Sequence, residues 1–216
     1  MVTDFSAERH RLIEFLRREI RDQRVLAAMG RVPRELFVGS SQWPSAYDDR
    51  PLPIGHGQTI SQPLMVAIMT EALDLEGPEK VLEVGTGSGY QAAILAELAR
   101  RVITVERIAD LVRKAEEALG RLGYTNIEVH PAGATLGWPA EAPYDAILVS
   151  AGAPRVPQVL VDQLAVGGRL VIPVGSRYEQ NLVRVVKRER DTMMEDLGPC
   201  RWVPLIGEGA WSEQDA

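Results

Sequence analysis

The chain has 216 residues and a formal net charge of -6, with 45% hydrophobic and 25% charged residues. That is enough for one domain with a sizeable core, and the acidic balance speaks against an obligate nucleic-acid partner. A single cysteine, Cys200, excludes an internal disulfide and a cysteine metal cluster, so no metal site is expected.

From about Ala7 to Met29, Leu12, Phe15, Leu16, Ile20, Val25 and Leu26 recur at helical spacing between charges, with a break near Asp22. Gly30 and Arg31-Val32-Pro33 mark the end of this pattern. Arg34 to Val38 is read as a short helical turn or strand. The stretch from Trp43 to Pro63 has no clean period and is dense in Pro and Gly. It is read as a connector, yet long ordered loops inside compact domains are often functional. Its residues Gln58, Thr59, Ser61 and Gln62 offer neutral hydrogen-bonding groups. A helix follows, with Leu64, Met65, Ile68, Met69 and Leu73 on its expected apolar face.

Val81 to Val84 reads as a buried parallel strand interrupted by one acid, Glu83. Gly85, Gly87 and Gly89 follow at alternate positions, then an apolar helical segment from Gln91 to Ala99. Strand, glycine turn and helix together bring a ligand close to bare backbone at a helix N-terminus. A nicotinamide-dinucleotide fingerprint fails because its third glycine position falls on Tyr90, and a Walker A loop fails for lack of a following Lys. Acid-x-Gly-x-Gly-x-Gly is the pattern of S-adenosylmethionine-dependent methyltransferases, with Glu83 toward the cationic end of the ligand. The next strand, Arg101 to Val105, ends in Glu106, at the spacing where a carboxylate accepts from ribose hydroxyls. The same residues would also serve a plain tight turn and a helix N-terminal acid.

Further along, a helix is expected from about Ala109 to Leu122, then strands at Asn126–Val129 and Tyr144–Val149. A helix from about Pro157 to Leu164, a strand from Arg169 to Val174, and strands at Leu182–Lys187 and Arg201–Ile206 complete the series. The last two have no helix between them, so an antiparallel pair is expected. Alternating β and α units predict a doubly wound, mostly parallel seven-stranded α/β sheet of Rossmann-like type. It carries an N-terminal helical extension and a C-terminal antiparallel pair. Residues 1–76 are read as the helical and substrate-loop portion, 77–206 as the cofactor-binding core and 207–216 as a frayed tail. In such sheets the ligand sits at the carboxyl ends of the strands, where Gly85, Glu106, Gly133 and Ser150 fall.

Ile54-Gly55-His56-Gly57-Gln58-Thr59-Ile60-Ser61-Gln62-Pro63, joined to Leu82-Glu83-Val84-Gly85-Thr86-Gly87-Ser88-Gly89-Tyr90, resembles the protein-L-isoaspartate O-methyltransferase family. Val32 to Val38, Tyr47 to Leu52, Val105-Glu106-Arg107 and Gly167 to Gly175 extend the likeness from about residue 9 to 206. The resemblance implies a protein-repair enzyme that moves a methyl group from S-adenosylmethionine to the α-carboxyl of L-isoaspartyl residues, leaving S-adenosylhomocysteine. The methyl ester then falls back to succinimide, which reopens partly to normal aspartate. The resemblance further implies Ser61 as the active-site residue with Thr59 beside it. Gln58, Ile60 and Gln62 would line the substrate. Glu83, Gly85, Thr86, Gly87, Ser88, Gly89, Glu106, Gly133 and Ala134 would hold the cofactor.

The chemistry fits those residue types. A carboxylate is ionised at neutral pH and a sulfonium methyl is already activated, so alignment suffices without a general base. His56 is accordingly read as a loop hydrogen-bonder. In place of the family's Gly-Asp-Gly, whose aspartate accepts from the adenine amino group, this chain has Ala132-Gly133-Ala134. Losing that charge-assisted bond corresponds to about 1–3 kcal/mol of cofactor affinity. Two other readings stay open: a methyltransferase of the same frame with another carboxylate substrate, or a weakly active relative that only binds altered proteins. The N-terminal segment lacks a signal pattern and no apolar run approaches 18 residues. A cytoplasmic monomer with isoaspartyl proteins and peptides as partners, and neither nucleic acid nor membrane, is therefore expected.

Overall fold

The computed structural model describes residues 4–212. The predicted break at Asp22 separates two helices, α1 (Ser6–Leu16) and α2 (Gln23–Arg31). Asp22 caps α2, its carboxylate accepting from the Arg24 amide at 2.8 Å. Short 3₁₀ turns at Arg34–Phe37 and Ser40–Ser45 follow. The stretch read as a connector then forms a hairpin, β1 (Leu52–Gly55) and β2 (Gln58–Ile60). Gly55, His56 and Gly57 all take positive φ at its tip, which two glycines allow.

Helix α3 (Pro63–Ala72) precedes the βα series. This runs β3 (Lys80–Val84), α4 (Tyr90–Ala96), β4 (Arg101–Glu106), α5 (Ala109–Arg121), β5 (Ile127–Pro131), β6 (Tyr144–Val149), α6 (Gln158–Asp162) and β7 (Leu164–Gly175). Strands β8 (Gln180–Lys187) and β9 (Thr192–Cys200) close it. The seven-stranded sheet has the order β5-β4-β3-β6-β7-β8-β9, with β5 to β7 parallel and β8 and β9 antiparallel. Strand alternation feeds two cores. Val81, Val102, Ala146 and Val171 pack beneath α1 to α4, and Leu82, Ile103, Ile147 and Leu170 pack with α6 on the other face. Among the described residues no helix is long and apolar enough to cross a membrane.

Four sequence expectations change. The second antiparallel strand is Thr192–Cys200, not Arg201–Ile206. Strand β9 is an edge strand with most side chains exposed and acids at Glu195 and Asp196, so it shows no apolar alternation to read. The apolar residues at 201–206 cross the strand ends instead: the Gly152 amide donates to the Val203 carbonyl at 2.7 Å and the Leu205 amide to that of Gly152 at 2.8 Å. Helix α3 buries Val66, Ala67, Met69 and Thr70, whereas Leu64, Met65 and Ile68 are only partly buried. Nearly every residue of that helix is apolar, so periodicity cannot choose its face. Strand β7 starts five residues before Arg169, with a register shift near Gly167-Gly168 where a turn is expected. The segment Gly207–Ser212, expected to fray, turns back so that the Trp211 amide meets the Leu205 carbonyl at 3.0 Å. The rest of the expected tail lies outside the described residues.

Candidate active site

A cavity of about 990 Å³ opens at the carboxyl ends of β3, β4 and β6. One wall is the glycine loop. The amides of Gly85 and Thr86 both donate to the Val105 carbonyl, at 2.9 and 3.2 Å, which folds the loop over the end of β4. Glu106 then pins the loop: one carboxylate oxygen accepts from the Gly87 amide and the other from the Ile108 amide, each at 2.9 Å. Each oxygen keeps a further lone pair for a hydroxyl donor from the cavity. Gly85 has a φ of 100° and already faces Ser150 at 3.4 Å from where a Cβ would stand. Any side chain there would be strained and would crowd that wall.

Glu83 lies below the loop with no exposed surface. The Thr104 hydroxyl donates to one of its oxygens at 2.6 Å, and its other oxygen has no protein partner. Burial pushes the Glu83 carboxyl up to about 8, opposed by the Thr104 bond and reinforced by the charge of Glu106. A buried carboxylate oxygen lacking a donor, on the wall of an open cavity, suits a ligand ammonium group. The open cradle, Glu106 with spare acceptor capacity and this unpaired oxygen together fit S-adenosylmethionine.

A second part of the lining is the hairpin and the start of α3. Gln58, Thr59, Ile60, Ser61 and Gln62 all line the cavity, as do Thr86, Gly87, Ser88, Gly133 and Ala134. Ser61 does not cap α3: Asp49 does, accepting from the Leu64 amide at 2.8 Å. Among the described residues neither the Thr59 nor the Ser61 hydroxyl has a protein partner, so both remain available. Two expected contacts are qualified by their surroundings. Ile60 is 3% exposed and belongs to the core, so it carries the segment rather than offering a polar group. The Gln62 side-chain amide donates to Asp49 at 2.8 Å, which leaves its oxygen free.

Gly89 stands apart from the other loop residues. It does not line the cavity; it starts α4 with a φ of 87°, and a Cβ there would meet Ala115 at 3.3 Å. Its small size serves the close packing of α4 on α5. His56 also lies outside the cavity lining, with its ring nitrogen 2.9 Å from Asp110 at the start of α5. Cys200 lines the cavity, and burial pushes its thiol up to about 11, so it is no nucleophile at neutral pH.

Sequence reasoning missed several residues that shape the cavity. Asp49, which does not line it, positions both Gln62 and α3. Leu136 and the segment 201–207 form walls that come from distant loops, whereas Ser150 is already expected at the strand ends. The apolar spacing of Val203 and Leu205 was the signal for that last segment, but the same spacing suits a strand equally well.

The family model described as Protein-L-isoaspartate(D-aspartate) O-methyltransferase matches residues 7–210. A protein-L-isoaspartate O-methyltransferase of Geobacter metallireducens is 54% identical over 98% of this chain and 100% of its own length. One from Methanoculleus marisnigri is 55% identical over 94% of each. Among solved structures, a protein-L-isoaspartate O-methyltransferase superposes with a TM-score of 0.85 at 28% identity, covering 94% of this chain and 67% of its own. A Plasmodium falciparum protein described as the same type of enzyme, in complex with S-adenosyl-L-homocysteine, superposes with a TM-score of 0.78 at 29% identity. That match covers 90% of this chain and 96% of the Plasmodium chain.

Proposed function

The chain belongs to the protein-L-isoaspartate O-methyltransferase family, and from that membership we propose how its residues divide the work. The enzyme transfers a methyl group from S-adenosylmethionine to the α-carboxyl of L-isoaspartyl residues in damaged proteins and peptides. The bound cofactor supplies a methyl carbon already activated by its sulfonium charge.

The residues of the chain bind, align and exclude water. Gly85, Thr86, Gly87 and Ser88 present bare or short-chained backbone to the cofactor, and Glu106 accepts from its ribose. Glu83 faces its ammonium group. Gly133 and Ala134 would hold the adenine end. Thr59 and Ser61 would donate their hydroxyls to the isoaspartyl carboxylate and orient it for attack on the methyl carbon that the cofactor would supply. Neutral donors suit this role, because a fixed cation would stabilise the ground-state carboxylate, whose charge is lost in the reaction. Residues 1–76 thus serve the substrate and 77–206 the cofactor. Monomeric state and cytoplasmic location belong to the same proposal and rest on the sequence expectation alone.

The observation that carries this reading is that the two uncommitted hydroxyls share one cavity with the glycine loop and Glu106. The test is methyl transfer to an isoaspartyl peptide and to its aspartyl twin. Methylation of the first and not of the second is the expected result. Equal methylation of both would show a different carboxylate substrate, and methylation of neither would show a binding protein.

A further inference from the structure

Arg34 lies beneath the substrate wall and does not line the cavity. Its side chain has no exposed surface, and among the described residues it forms no ion pair. Its Nε donates to the Ala46 carbonyl at 2.8 Å and one terminal nitrogen donates to the Ser61 carbonyl at 2.7 Å. The other terminal nitrogen has no protein partner. The guanidinium carbon lies 4.9 Å from the centre of the Tyr90 ring, and Tyr90 is the first residue of α4 after the glycine loop.

A buried cation with no direct ion pair, eased only by Tyr90 and the more distant Asp49 charge, is an expensive way to fill a core, and an apolar side chain would pack at lower cost. The position of Ser61 supplies a reason for it. Strand β2 ends at Ile60, and the N-cap of α3 is Gln62. Ser61 therefore falls between the hairpin ladder and the helix, and neither holds its backbone. The bond from Arg34 is the only hydrogen bond to the Ser61 backbone among the described residues. Through the stacked ring the same guanidinium also touches the helix that follows the cofactor loop.

We propose that Arg34 is a positioning residue that fixes Ser61 against the cofactor wall through its carbonyl and the Tyr90 ring. Its charge sits behind the main chain, so it orients the hydroxyl without placing a cation on the substrate carboxylate. The fork of the guanidinium reaches the Ala46 and Ser61 carbonyls at once, which a lysine cannot reproduce.

The proposal rests on Ser61 acting at the substrate, and the experiment separates the two ideas. Arg34→Lys is compared with the parent chain in kcat, peptide KM, affinity for S-adenosylhomocysteine by calorimetry, and melting temperature. At a temperature well below melting, kcat should fall about tenfold or more, with product affinity within threefold of the parent. In a Ser61→Ala background the same substitution should cost less than threefold, because the hydroxyl it positions is gone. Unchanged kcat with only a lower melting temperature would overturn the proposal, as would an undiminished effect in the Ser61→Ala background. Should Arg34→Lys fail to fold, Tyr90→Leu removes the ring and hydroxyl that meet the guanidinium and keeps the guanidinium; because Tyr90 also lines the cavity, product affinity is measured alongside and should stay within threefold. A kcat loss that vanishes with Ser61→Ala would support the proposal, and an unchanged kcat would overturn it. An inactive parent chain would instead remove the functional reading itself.

Discussion

The two walls of the cavity are built by different means. The cofactor wall is made by main chain. Gly85 and Thr86 bond the Val105 carbonyl, and the Glu106 carboxylate closes on two amides within a few residues of the strands that carry them. The substrate wall is held by side chains reaching across the sequence. Arg34 holds Ser61, Asp49 holds Gln62 and Leu64, and His56 meets Asp110. Backbone at a strand end is fixed by the sheet behind it and needs little more. A hairpin standing off the sheet has no such support and needs tethers.

This contrast predicts that damage to each wall shows in a different constant. The largest effect is expected from Glu106→Ala. It removes the clamp on the Gly87 and Ile108 amides together with the proposed ribose acceptor. Affinity for S-adenosylhomocysteine should fall about 100-fold by calorimetry, or about 2.7 kcal/mol. A change under threefold would mean that the loop holds its shape without the clamp.

Gly133 offers the opposite test. Its φ is not in the left-handed region, and a Cβ there meets nothing within 4 Å. Gly133→Asp should restore an acceptor for the adenine amino group and tighten product binding about tenfold, with kcat at saturating cofactor unchanged. Weaker binding would show that the adenine lies elsewhere.

The smallest effect concerns protons. The Glu83 carboxyl, raised to about 8 by burial, is mostly protonated at pH 7 in the cofactor-free chain. An ammonium group favours the carboxylate, so binding at pH 7 should release close to one proton, and affinity should rise as pH approaches 8. The folded pKa of Glu83 lies above its unfolded value. Its contribution to stability is therefore fully present below about 4.5 and is lost as pH rises through about 8. In Glu83→Gln both the proton release and that slope should disappear. Calorimetry in buffers of differing ionisation enthalpy, with melting curves across pH, measures both.

The same contrast explains what the sequence could reveal. The strands, the glycine loop and Glu106 were legible because their constraints are local: β-branched runs for buried strands, glycine for positive φ, an acid at a strand end. The hairpin at Leu52–Ile60 was not, because Pro53 and three consecutive positive-φ residues hide its alternation. Thr59 and Ser61 could be placed only through the family resemblance. Their support comes from Arg34 and Asp49, 27 and 13 residues from Ser61 and Gln62 respectively, contacts that no local pattern encodes. Strand β9 was missed because an exposed, charged edge carries no apolar signature.

One cavity thus has a cofactor wall and a substrate wall that can be broken separately. Ser61→Ala tests this most directly when both constants are measured on one preparation. The kcat/KM for an isoaspartyl peptide should fall at least about tenfold, the loss of one hydroxyl donor, while the affinity for S-adenosylhomocysteine stays within about twofold. Undiminished turnover, or an equal loss in cofactor affinity, would contradict it.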